Sequence, residues 1–212
     1  MSITVLSDEE FFDLPKGKHK RNGRIVGEII DEVSVTGLEI VRSNAPVLTK
    51  EIMKFVLHVI LYENELTMMD GRIKERWRAI KNGDVPFEEA AVPVGIQKKL
   101  DSYGGTKDDG SKKGIPYHIR AAVYSNTWLG KRLSVGDKPL ICYVKAVPRN
   151  YDKTHVIAVE RGEDWPEGFE IDWDQHARIC IENPLNNLLR GIGRSFDEVV
   201  SDFENTGAMD FF

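Results

Sequence analysis

Cysteine is scarce: Cys142 and Cys180 are the only two in 212 residues. They make neither a disulfide framework nor a Cys-x-x-Cys metal knuckle, so a reduced intracellular protein is the default expectation. No stretch approaches the roughly 18 consecutive apolar residues of a membrane-spanning helix. The opening Met1-Ser2-Ile3-Thr4-Val5 has no cationic segment leading into an apolar run, and no secretory signal is expected. A Gly-x-Ser-x-Gly elbow is missing, as is a glycine-rich phosphate loop ending in Lys-Ser/Thr. The five histidines, His19, His58, His118, His155 and His176, are scattered with no i,i+4 pair. His58 falls mid-helix as a core or boundary residue, and Cys180 reads as a small core residue. Asp108-Asp109 lies in a glycine-rich loop near Lys107 and Lys112, the setting of a solvated turn. Asp172 and Asp174 flank Trp173 just before a helix, where Asp174 is expected to be the cap. Neither aspartate pair has the surroundings that two-metal chemistry needs. These absences leave no convergent active site and no metal site.

What is present is a folded-protein composition, 41% apolar and 30% charged, on a chain long enough to bury a core as one large or two small domains. The net charge of −5 averages two unlike regions. Residues 97–153 hold twelve Lys and Arg against five Asp and Glu, a net of +7. Residues 160–212 hold four against thirteen, a net of −9. A cationic middle beside an acidic end is compatible with a polyanionic partner; it is equally the pattern of a bipolar surface with no function.

Along the chain there is no internal repeat. Ser7 to Phe12 reads as a short capped helix that Pro15-Lys16-Gly17 ends, followed by a basic cluster of Lys16, Lys18, His19, Lys20, Arg21 and Arg24. Residues 25–41 read as β-structure. Ser43-Asn44-Ala45-Pro46 opens a helix whose Leu48, Ile52, Phe55, Val56, Val59 and Ile60 share one apolar face. A basic helix over Glu65–Lys81 follows, stopped by Asn82-Gly83-Asp84, and the two are expected to pair. Gln97–Tyr103 reads as a short helix, residues 104–114 as a Lys-bearing loop, and His118 onward as a helix reaching Trp128. Leu140–Val147 and His155–Val159 alternate as strands, Gln175–Ile192 is a helix interrupted by Asn183-Pro184, and residues 204–208 form a tether to Met209-Asp210-Phe211-Phe212.

Three segments, in order, resemble the C-terminal part of family B DNA polymerases. Gly37-Leu38-Glu39-Ile40-Val41-Arg42-Ser43 before a long helix is similar to the passage from that family's palm into its thumb. Pro116-Tyr117-His118-Ile119-Arg120, then Val135-Gly136-Asp137-Lys138-Pro139 leading to Tyr143-Val144, resembles the thumb's Pro-x-His motif and its Gly-Asp-Lys…Tyr-Val strand. Phe169-Glu170-Ile171-Asp172, with Gln175, Pro184-Leu185, Leu189 and Gly193, resembles the closing helix. The similarity covers roughly residues 37–212, and the Pro-aromatic-His-Ile-Arg form and the aromatic tail are nearest to T-even-type phage polymerases. The family's catalytic aspartates stand in Ser-Leu-Tyr-Pro and Asp-Thr-Asp segments, and neither segment occurs here.

The resemblance implies an α+β chain: a mainly helical thumb with a small β-sheet over residues 46–203, preceded by short palm-completing strands in residues 1–45 and followed by a clamp-binding tail in residues 204–212. The preferred expectation is one part of a split polymerase (the alternative being a cut fragment), with exonuclease, fingers, catalytic palm and Mg2+ on a large partner chain, and no cofactor on this one. The implied partners are primer–template DNA and a sliding clamp, in the cytoplasm of a bacterial host. The implied DNA-binding residues are Lys18, Lys20, Arg21, Lys112, Lys113, Tyr117, His118, Arg120, Lys131 and Arg132. Lys20-Arg21 stand where the family's Lys-Lys-Arg-Tyr primer-duplex motif would fall, with Asn22 in place of its tyrosine. Met209, Phe211 and Phe212 are the implied clamp anchors. The alternative is a stand-alone DNA- or clamp-binding accessory protein.

Overall fold

In the computed structural model the described residues are 2–5, 18–21, 24–30, 33–36, 38–63, 65–104 and 114–201, the first four runs as backbone only. The chain is α+β and divides into two compact units, one drawn from residues 1–84 and 177–212 and the other from residues 85–176. The expected 46–203 segment thus contributes residues to both units.

The first unit begins with an antiparallel sheet of four strands, β1 (Ser2–Val5), β2 (Lys18–Arg21), β3 (Arg24–Ile30) and β4 (Val33–Thr36), in the order β1-β4-β3-β2. The β-structure expected up to Val41 ends earlier. Glu39–Val41 is a 3-10 turn, closed by the Arg42 N–H on the Glu39 carbonyl, and it buries Ile40 and Val41. Helix α1 (Val47–His58) opens at the end of the Ser43–Pro46 segment, but Pro46 stands just outside it instead of in its first turn and no side chain caps it. It buries Leu48, Ile52, Met53, Val56 and Leu57 at helical spacing. It runs into a π-helical turn over Val59–Glu63.

Helix α2 (Leu66–Asn82) buries Met69, Ile73 and Ile80. It ends on Gly83, whose φ of 77° suits a residue without a Cβ. The Gly83 N–H bonds the Ile80 carbonyl and the Asp84 N–H the Ala79 carbonyl, the paired closure of a Schellman stop.

The helix expected to break at Asn183-Pro184 widens instead. A π-helical turn over Arg178–Glu182 leads into α6 (Asn183–Gly191), with Pro184 in its first turn. Proline has no N–H and its ring crowds the carbonyl four residues back, and the wider turn accommodates both. Helix α7 (Phe196–Ser201) follows, with Phe196 meeting Trp77 edge-on at 5.0 Å between ring centres. Arg194 holds Asp70 through two parallel 2.7 Å bonds, in a pair only 25% and 20% exposed.

The second unit is built on strand β6 (Leu140–Ala146), paired antiparallel with β7 (Val156–Val159) along one edge. Along the other edge lie β5 (Val92–Pro93), which follows α3 (Phe87–Ala90), and β8 (Glu170–Ile171). Leu140, Cys142 and Val144 alternate with Ile141 and Tyr143, and form a core with Ile157, Val159, Tyr124, Ala91 and Phe169. Burial raises both thiols, Cys180 to about 12, so both stay protonated and serve as small apolar groups. Gln97–Tyr103 provides only a 3-10 turn, Leu100–Ser102, because the Ser102 hydroxyl and N–H both bond the Lys99 carbonyl and tighten the turn.

Helix α4 (Tyr117–Trp128) packs on β7. Ser125 on this helix is fully buried, and its Oγ accepts the Ala158 N–H at 2.9 Å, closing the unpaired edge of β7. Ser125→Ala leaves that buried N–H without its acceptor, and a loss of about 1–3 kcal/mol in unfolding free energy is expected in urea denaturation.

Candidate nucleic-acid interface

Pro116 precedes α4 with φ −56° and ψ 146°, which places it just outside the helix, and no side chain caps the helix start. The first N–H groups of a helix have no partner within it and carry the positive end of its dipole. Tyr117, His118 and Arg120 occupy this first turn. Arg120 is exposed, and Tyr117 and His118 are half-buried.

Tyr117 lies nearly parallel to Tyr143 of β6, 6.0 Å between ring centres and 22° between planes, and meets His118 edge-on at 5.5 Å. Burial raises the Tyr117 hydroxyl, with Tyr143 adding to the effect. Burial raises Tyr143 too, against the opposing pull of the Arg120 charge. Both phenols therefore remain protonated donors at neutral pH. Burial lowers His118 below its usual 6.5, so its imidazole is neutral at pH 7 and offers hydrogen bonds rather than charge.

Tyr143 is itself held by a residue that sequence reading left unassigned. Strands β5 and β8 pair with β6 on either side of Tyr143 and leave its outward N–H and carbonyl uncovered. His176 Nε2 accepts that N–H at 3.0 Å, and the Asp172 N–H donates to the carbonyl at 3.0 Å. Since Nε2 is an acceptor, Nδ1 carries the proton and donates it to the Ala90 carbonyl at 3.0 Å. The residue that caps the helix α5 (Trp173–Ala177) is Asp172, whose Oδ1 accepts the Gln175 N–H at 2.9 Å. The sequence points to Asp174, but the chain bends two residues earlier, at Asp172, directly after β8 ends at Ile171.

The remaining expected contacts fall differently. Lys131 is bonded to Glu163 at 2.6 Å in a pair 20% and 35% exposed, and this bond holds the Glu163 carboxyl below its usual range. Its neighbour Arg132 is exposed, on a segment that Asn126 clamps by bonding both the N–H and the carbonyl of Leu133 at 2.8 Å. Lys18, Lys20 and Arg21 lie on β2, whose register with β3 shifts between His19 and Lys20, where Val26 of β3 is left over. Lys112 and Lys113, the Asp108-Asp109 pair, the Ser7–Phe12 helix, the 204–208 tether and Met209, Phe211 and Phe212 lie outside the described residues. Among the described residues no group of three or more His, Cys, Asp or Glu is placed to hold a metal ion, and no helix is long and apolar enough to cross a membrane. The resemblance of Pro116–Arg120 to the thumb's Pro-x-His motif singles out Tyr117, His118 and Arg120, and they share the first turn of α4. Tyr143 belongs to the Gly-Asp-Lys…Tyr-Val segment but has no expected role there, and His176 carries no signal of its own, since only the fold brings it to Tyr143. No family model and no curated protein matches this chain.

Two pH responses follow. The unfolded chain protonates His176 near pH 6.5, whereas burial lowers the folded pKa. Its contribution is whole above about pH 6.5 and lost as pH falls below that value. The thermal midpoint is expected to drop more steeply between about pH 7 and 5 than in the His176→Gln variant. For His118, affinity for an oligonucleotide probe is expected to be level from about pH 7 to 8.5 and to rise only as pH falls below the free imidazole's 6.5 and the ring gains a proton, a rise that His118→Gln removes in anisotropy titrations.

Proposed function

We propose that this chain is the duplex-gripping, thumb-like part of a family B DNA polymerase, working with catalytic aspartates and Mg2+ supplied from outside these residues. The observation that carries the reading is the uncapped, Pro116-opened start of α4, with exposed Arg120 and neutral His118 beside the Tyr117–Tyr143 stack. A duplex held for synthesis must slide, so its grip has to be blind to sequence and rest on phosphates. A guanidinium, a neutral imidazole and protonated phenols around a helix start are donors, and phosphate oxygens are acceptors. Arg132 adds a second exposed cation on the clamped segment after α4. The four-stranded sheet of residues 2–36 serves as the edge of the palm. The tail, through Met209, Phe211 and Phe212, docks on a sliding clamp, where aromatic anchors that bury about 150–250 Å² each gain strength from tethering on DNA.

Arg120→Gln is expected to weaken primer–template binding about 3- to 10-fold and to lower the slope of log affinity against log salt by about 0.9. The chain by itself is expected to incorporate no nucleotide, and to support templated extension when a polypeptide bearing the missing aspartates is added. Synthesis by the isolated chain would sink the proposal. Removing residues 207–212 is expected to spare distributive synthesis and abolish its stimulation by the clamp; unchanged stimulation excludes the tail from docking.

A further inference from the structure

The turn joining β6 to β7 concentrates positive charge among the described residues of the second unit, apart from the contacts around α4. Residues 145–155 enclose a depression of about 520 Å3 lined by Lys145, Arg149, Lys153, His155, Tyr151 and Thr154, among others. Its lining has three permanent cations and no carboxylate. Lys145 lies 3.8 Å from Glu170, but the two side chains are 66% and 61% exposed, and a pair so solvated offsets little of the charge.

The depression is braced from beneath. The Tyr151 N–H closes on the Pro148 carbonyl at 3.1 Å, and the Thr154 hydroxyl donates to the Val156 carbonyl at 2.8 Å. Tyr124 donates its hydroxyl to the Asp152 carbonyl at 2.8 Å. The Tyr151 ring is fixed edge-on between Phe169 at 5.2 Å and Trp128 at 6.1 Å. Trp128 remains 39% exposed.

An anion satisfies the three cations, and a flat apolar ring covers the exposed indole beside them. A ligand that repeats both groups along a flexible backbone is single-stranded nucleic acid, whose unpaired bases offer a face for stacking. A duplex offers phosphates but keeps its base faces stacked on one another, and an acidic peptide leaves the indole uncovered. We infer that the β6–β7 turn, with Trp128, is a binding site for single-stranded nucleic acid. The site stands on residues that the duplex grip does not use, and its test separates the two.

The test uses the full chain, a labelled oligothymidylate of about twelve nucleotides, and a blunt duplex of the same length. Arg149→Gln with Lys153→Gln is expected to weaken single-strand binding about tenfold or more and to lower its salt slope by about 1.4, with duplex affinity changed less than about twofold. Arg120→Gln is expected to do the reverse. Oligothymidylate is expected to quench tryptophan emission in the parent, and Trp128→Phe to remove most of that quenching while keeping affinity within about threefold. Trp128→Phe retains a ring against Tyr151, so loss of folding does not confound it. Equal losses on both DNAs, or quenching unchanged by Trp128→Phe, overturn the site. So does thymidine monophosphate binding as tightly as the oligomer, or polyglutamate competing equally well.

Discussion

A neutral imidazole in a closed pocket sets the geometry of the second unit. His176 is buried, and its ring bonds Tyr143 through one nitrogen and Ala90 through the other. Its protonation would put a charge where no water can solvate it and turn the acceptor nitrogen into a donor facing another donor. The bond to Tyr143 fills the one place on the outer edge of β6 that β5 and β8 leave open. Strand β6 thereby holds Tyr143 in position, Tyr143 supports Tyr117, and Tyr117 orients the first turn of α4. The proposed contact with DNA stands at the end of that series.

The cationic segment is less uniform than its composition suggests. Lys131 is committed to Glu163, one of the acidic residues of the following stretch, and the two serve as a structural tie. Arg120 and Arg132 are exposed at and beyond the two ends of α4, while Lys145, Arg149 and Lys153 gather around the β6–β7 turn. The excess of positive charge thus resolves into separate groups, each with its own aromatic neighbours or none. That separation is the reason two different nucleic-acid conformations are assigned to two places on one unit.

The first unit joins residues from the two ends of the chain. Helices α1 and α2 pack with α6 and α7, and two π-helical turns, at Val59–Glu63 and Arg178–Glu182, change the phase of the helices that carry them. A π turn rotates the residues that follow by adding one to the turn, which shifts the apolar stripe around the axis. A period of 3.6 read across such a point finds the helix but not its true face.

The regular elements with strong local signals were legible in the sequence. The Gly83 stop of α2, the helix from about His118 to Trp128 and the existence of β6 and β7 all follow from residues within a few positions of one another, although all four residues of β7 are buried and do not alternate. Tyr117, His118 and Arg120 are reached through a motif resemblance, and the helix that follows Pro116 puts them in one turn. Long-range packing makes Glu39–Val41 a turn and not a strand, makes Asp172 the cap of the last helix of the second unit, and commits Lys131 to Glu163. It alone joined His176 to Tyr143, 33 residues apart, and Ser125 to Ala158, also 33 apart. Those bonds exist because strand pairing leaves buried N–H groups that must find an acceptor, and which residue provides it depends on where the chain returns rather than on its neighbours in sequence.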